Sequence, residues 1–88
     1  MDSYRLEILC KGVANHYRIR VLEEVHKQPD LSVEELADRV RIGYKTLSVH
    51  LKKMESAGLL TKKQYGRRVE HSATALGEQV AEFLRGLS

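Results

Sequence analysis

Residues 43–60 read GYKTLSVHLKKMESAGLL. Leu47, Leu51 and Met54 stand at i, i+4 and i+7, the spacing of one helical face. Lys45, Val49, Lys52 and Lys53 fall on the other side. The stretch therefore predicts a helix from Tyr44 to about Ala57 that rests on a core by one face and presents three lysines by the other. Gly58 ends it and turns the chain. A lysine-bearing outer face is suited to solvent or to a polyanion, and the flanking sequence has to decide between them.

Upstream, Ser32-Val33-Glu34-Glu35 is a capping box, with a serine hydroxyl for the Glu35 N–H and a glutamate to reach back. It opens a short helix over 32–40 with an apolar stripe of Val33, Leu36, Ala37 and Val40. Arg41-Ile42-Gly43 follows, and Gly43 is expected to supply a tight bend. Two helices joined by a short glycine-containing turn form a helix-turn-helix pattern, the second longer and more basic than the first.

Downstream the period changes. Residues 60–64 and 69–73 read as strands, joined by Tyr65-Gly66-Arg67-Arg68 as a cationic hairpin turn. Val69, His71 and Ala73 share one side of the return strand, and Arg68, Glu70 and Ser72 the other. Thr74 caps a last helix over 75–87, whose stripe of Leu76, Val80, Phe83, Leu84 and Leu87 suits packing on the first helix or a seam with a second copy. Ahead of the capping box, residues 3–11 and 16–27 read as two further helices, with Gly12 as the stop of the first and Asn15 as the N-cap of the second. The expected architecture is mostly α with a small β-hairpin, in one domain over 1–88.

Charge is unevenly placed. The net charge is +3, yet residues 39–73 hold nine Lys and Arg against Glu55 and Glu70 alone. The rest of the chain is net acidic. A cationic surface tied to a recognisable reading element points to nucleic acid. No stretch approaches the roughly 18 apolar residues of a membrane span, and no signal peptide is visible, so a cytoplasmic location is expected. Cys10 is the only cysteine and cannot form a disulfide within the chain. No glycine-rich phosphate loop, no activated nucleophile and no metal-ligand pair at i, i+4 is present, which argues against an enzyme and against a bound metal or other cofactor.

The order of these elements resembles a winged helix-turn-helix, and several strings are similar to those of ArsR-type repressors. Gly12-Val13-Ala14-Asn15-His16-Tyr17-Arg18-Ile19-Arg20-Val21-Leu22 resembles the entry to that family's second helix. Leu47 to Leu60 is similar to its recognition helix, and Tyr65-Gly66-Arg67 stands where its wing tip carries glycine and arginine. The resemblance implies a homodimeric, sequence-specific DNA-binding transcriptional regulator, a repressor. Its recognition helix would enter the major groove, with the wing on the backbone or in the minor groove. Tyr44, Lys45, Thr46, Ser48 and Val49 would meet the groove. Lys52, Lys53, Lys63, Arg67 and Arg68 would meet phosphate or minor groove. The family's metal sites are not carried over: helix 32–40 has no cysteine and helix 75–87 no histidine. An unidentified small-molecule effector is left open, with no pocket nameable from the sequence. The alternative is a winged helix that serves as a protein-interaction module, because fold alone does not prove function.

Overall fold

The computed structural model describes residues 1–88. Five helices and three short strands follow one another as α1 (Ser3–Val13), α2 (His16–Lys27), β1 (Leu31–Ser32), α3 (Val33–Val40), α4 (Tyr44–Ser56), β2 (Leu60–Tyr65), β3 (Arg68–Ala73) and α5 (Ala75–Gly86). The expected boundaries hold to within two residues.

Local chemistry explains most of the element ends. Asp2, Asn15, Ser32 and Thr74 each accept a backbone N–H at the start of α1, α2, α3 and α5. The capping box of α3 is complete, with the Ser32 Oγ accepting from the Glu35 N–H at 3.1 Å and Glu35 Oε1 accepting from the Ser32 N–H at 2.9 Å. Gly58, at φ +81°, closes α4. Its N–H donates to the Glu55 carbonyl, and the Leu59 N–H donates to that of Met54, which is the paired bonding of a Schellman motif.

Two glycines act otherwise than expected. Gly12 does not stop α1, which continues to Val13. It is buried where α1 crosses α4, and a Cβ there would come within 2.5 Å of the Ala57 Cβ. Gly43 does not make the bend either. Its φ is −63°, and the left-handed residue of the α3–α4 turn is Arg41 at φ +60°. Arg41 ends α3 in this conformation, with its own N–H and that of Ile42 both donating to the Ala37 carbonyl.

The hairpin turn has two residues rather than four, so Tyr65 pairs directly with Arg68. Gly66, at φ +59°, is the first of the two, the position at which a type II′ turn requires glycine. The two-residue β1, which no sequence pattern signals, pairs antiparallel with β3 and gives a three-stranded sheet in the order β1-β3-β2. The loop before β1 is tied to the same strand through Asp30 and Ser72.

The core runs through the centre of the helix-turn-helix. Val21, Leu22 and Val25 of α2 meet Leu36 and Val40 of α3, Leu47, Leu51 and Met54 of α4, and Leu31, Leu59 and Leu60 at the sheet. α5 packs on α2 and β3 rather than on α1. It buries Gly77 and Ala81 and leaves Phe83 and Leu87 exposed. α1 buries only Gly12, and Tyr4, Leu6 and Ile8 remain open.

Candidate nucleic-acid interface

The candidate surface starts with what α4 does not bury. With Leu47, Leu51 and Met54 fixed in the core, Lys45, Thr46, Val49, Lys52 and Lys53 are exposed. Val49 is 67% exposed, an apolar side chain at the middle of a polar face that the fold leaves uncovered. Tyr44 is half exposed, and Ser48 is partly covered with its hydroxyl donating to the Tyr44 carbonyl at 3.0 Å. α4 is the one helix that starts without a side-chain cap, and its first turn holds no acid. Its leading N–H groups therefore keep their capacity to donate to an anion.

The wing stands beside this face. Tyr44, Ser48 and Lys52, one row along α4, line a single cleft with Lys62, Val69 and His71 of the wing. Helix surface and hairpin are thus contiguous. None of Lys45, Lys52, Lys53, Lys62, Lys63 and Arg67 takes part in an ion pair, so their charge is left for an outside partner.

The strand register sorts the wing cations. Lys62 pairs with His71, which is buried, and so projects toward α4. Lys63 pairs with Glu70 and projects from the opposite face of the hairpin. Lys62 was absent from the residues expected from the sequence. A two-residue turn counted back from the Val69-His71-Ala73 face would have found it. Arg67, in the turn, is exposed.

Arg68 is engaged within the protein. Its Nη2 donates to Glu35 Oε1 at 2.7 Å and its Nε to Glu70 Oε2 at 2.5 Å. The pair ties the base of the hairpin tip to the first turn of α3. The bonds to both carboxylates push the Arg68 pKa up. Glu35 is held down at about 2, first by the Ser32 N–H, then by the Ser32 hydroxyl, then by Arg68. A carboxyl whose folded pKa lies below its unfolded value stabilises the fold above that unfolded value, and the contribution drains as pH falls from 4.5 toward 2. Arg68→Ala is therefore expected to raise the pH midpoint of acid unfolding, followed by far-UV circular dichroism. Glu35→Gln should flatten the dependence of melting temperature on pH in that window. If neither variant differs from the parent below pH 4.5, the anchor is not formed in solution.

His50 turns inward from α4. Its Nδ1 accepts from Arg18 Nη1 at 3.0 Å, and Arg18 also reaches the Lys11 carbonyl, joining α1, α2 and α4. Burial lowers the His50 pKa, and the nearby Arg18, Lys53 and His16 charges add to this. A neutral ring that accepts from Arg18 is a brace for α4. His26 is likewise occupied. Its Nε2 lies 3.1 Å from Glu82 Oε1 and its Nδ1 meets Glu78, which joins α2 to α5. No group of three or more His, Cys, Asp and Glu side chains is arranged to hold a metal ion. No helix is long and apolar enough to cross a membrane.

Residues 15–61 match the family model described as winged helix-turn-helix DNA-binding. The chain belongs to this family. The matched span is α2 through the start of β2, the part that carries the helix-turn-helix and its basic face. Among solved structures, this winged helix is similar to the transcriptional regulator HlyU from Vibrio vulnificus CMCP6, with 28% identity over 97% of this chain and 88% of that one and a TM-score of 0.81. It shares its fold with Mb0332 from Mycobacterium bovis, whose DNA-binding domain is described as homodimeric and as possibly of the ArsR family, at 19% identity over 96% and 78% of the two chains and a TM-score of 0.87. It shares it too with the transcriptional repressor BigR from Xylella fastidiosa, at 21% identity over 97% and 87% and a TM-score of 0.85. No curated protein sequence matches the chain.

Proposed function

We infer that this winged helix is a transcriptional regulator, a repressor, that reads a pseudo-palindromic duplex site as a homodimer. The observation that carries the reading is the continuity of the α4 outer row with the wing across one cleft, with every cation on that surface except Arg68 unpaired. Residues near the start of such a helix reach base edges and later ones meet the backbone. Tyr44, Lys45, Thr46, Ser48 and Val49 are assigned to the groove, with Val49 suited to a thymine methyl. Lys52, Lys53 and Arg67 are assigned to phosphate. Lys63 would reach phosphate only along the far face of the wing, and Arg68 serves by holding the wing in place.

Apolar surface for a second copy is available on α1 and α5, where Tyr4, Leu6, Ile8, Phe83 and Leu87 lie open. The homodimeric description of Mb0332 supports the same assembly. Two recognition helices would then stand about one duplex turn apart, roughly 34 Å. A module for protein partners would have little use for unpaired lysines around an uncapped helix start, so the DNA reading is preferred.

Selection of bound sequences from a random duplex pool tests the assignment. A palindromic consensus with half-sites about one turn apart is expected. Recovery of no consensus, together with salt-insensitive binding to an acidic protein, would move the chain to the interaction-module class. A regulator that contacts about eight phosphates as a dimer should lose affinity with a log–log salt slope near −7.

A further inference from the structure

His71 is placed where a histidine has no obvious structural use. The register sets it between Leu31 of β1 and Lys62 of β2. It is 3% exposed, and its Nδ1 is buried without a hydrogen-bond partner. Burial pushes its pKa down, with Lys62 adding to the effect and Glu55 opposing it. The ring is neutral at pH 7, so one nitrogen is a donor and the other an acceptor. Buried polar atoms are nearly always paired, so the enclosed Nδ1 is a cost that the fold carries, and the ring meets its surroundings by its other atoms.

The His71 ring lines the cleft between α4 and the wing, a hollow of about 330 Å³. Its apolar lining is Val33, Leu51 and Val69 together with the Tyr44 ring. Its charged lining is Lys52 and Lys62 against Glu55, a net positive balance. The volume is at the lower end of the range for small-molecule pockets, and an apolar lining with a few placed polar groups is their usual makeup. A metal cation is disfavoured by the two ammonium groups. A bare inorganic anion would leave the valines and leucine unused.

We propose that this cleft binds a small monocarboxylate with an apolar, ring-sized body. The carboxylate lies between the Lys52 and Lys62 ammonium groups, the body rests on Val33, Leu51 and Val69, and Ser48 and His71 border it. Tyr44, Ser48 and Lys52 belong to the row assigned above to DNA. Occupancy of the cleft and seating of a duplex are therefore mutually exclusive, and the molecule acts as an inducer that releases DNA. This second step rests on the DNA-binding reading; the binding site itself does not.

The test uses the full chain and benzoate as the probe, with ionic strength held constant. Backbone amide NMR of the free protein is expected to give saturable shifts in the millimolar range, centred on Ser48, Lys62, Val69 and His71. Benzyl alcohol, which lacks the charge, and inorganic phosphate, which lacks the apolar body, should shift these amides less and without saturation. Lys62 is exposed and its replacement is compatible with the fold, so Lys62→Glu should weaken benzoate at least about tenfold through loss of a charge-assisted contact. In a fluorescence-anisotropy titration, benzoate should weaken binding of the parent to the selected duplex, and benzyl alcohol at the same concentration should not. Absence of saturable shifts at the cleft, an equal response to phosphate, or an unchanged benzoate affinity in Lys62→Glu overturns the site. Saturation of the cleft in a protein that binds no duplex would instead retain the site and overturn the regulator assignment.

Discussion

Gly77→Ala is expected to lower the melting temperature by about 10–20 °C, from a loss of about 2–3 kcal/mol in a domain where each kcal/mol is worth about 4–8 °C. Gly77 lies in the first turn of α5, where its N–H donates to the Thr74 Oγ1 at 2.9 Å. A Cβ at this position would overlap the Leu59 carbonyl oxygen, with the Leu59 carbonyl carbon at 3.2 Å and the Ala73 Cβ at 3.4 Å. The obstacle is backbone, so no side chain can swing away. That same oxygen accepts from the Thr74 N–H at 3.0 Å, and the Thr74 hydroxyl donates to the Gly58 carbonyl at 2.6 Å. Displacing it pulls on the joint where the end of α4, the entry to the wing and the start of α5 meet. The opposing effect is the better helix propensity of alanine, at most about 1 kcal/mol, which the overlap exceeds. Gly86, in the same helix, has nothing within 4 Å of its Cβ direction. Gly86→Ala should therefore change stability by no more than about 0.5 kcal/mol in either direction. Equal melting temperatures for Gly77→Ala and the parent would mean that α5 does not sit against the wing entry as described.

The contrast between Gly77 and Gly12 on one hand and Gly58 on the other explains where the sequence could be read and where it could not. Gly58 follows a complete amphipathic helix, so its role as a stop was legible from periodicity. Gly12 stands in a comparable setting, yet its purpose is close passage of α1 over Ala57. A sequence does not distinguish a glycine needed for its φ from one needed for its missing Cβ, because the second depends on a partner far along the chain. The α3–α4 turn misled in the opposite way. Gly43 attracted the bend assignment, while Arg41 takes the left-handed conformation at the helix end. The capping box of α3, the core faces of α3 and α4 and the hairpin were legible, since each rests on neighbours within about four residues. β1 was not, because two residues show no period and their strand character comes only from pairing with β3, far along the chain.

The candidate site divides along the same line. Exposure of Lys45, Val49 and Lys52 followed from burial of Leu47, Leu51 and Met54, a relation internal to one helix. The separate fates of Lys62 and Lys63, and of Arg67 and Arg68, depend on strand register and on Glu35, which lies 33 residues from Arg68. Four cations within seven residues thus divide into one beside α4, one on the far face, one in the turn and one used as an anchor.

A Lys52→Ala/Lys53→Ala/Arg67→Ala variant is expected to bind the selected duplex at least about 10³-fold more weakly, and its salt slope should fall from near −7 to near −2. Each of these residues is exposed, and none is ion-paired within the protein. Their removal should leave the fold intact while deleting about six phosphate contacts from a dimer, and counterion release makes affinity depend steeply on that number. Phosphate contacts carry no sequence information, so the ratio between consensus and scrambled duplex should change little. Val49→Ala should do the reverse, with an unaltered salt slope and a preference relaxed by about 1–3 kcal/mol at one base pair of each half-site, the usual worth of a direct base contact. Arg68→Ala should follow neither pattern. It loosens the wing from α3, so affinity should drop with the preference kept and with a slope reduced less than by Arg67→Ala, which removes about one contact per subunit. The three variants thus separate charge, reading and positioning on one surface. A triple variant that retains the parent slope would show that duplex DNA does not lie along α4 and the wing, whatever the family of the fold.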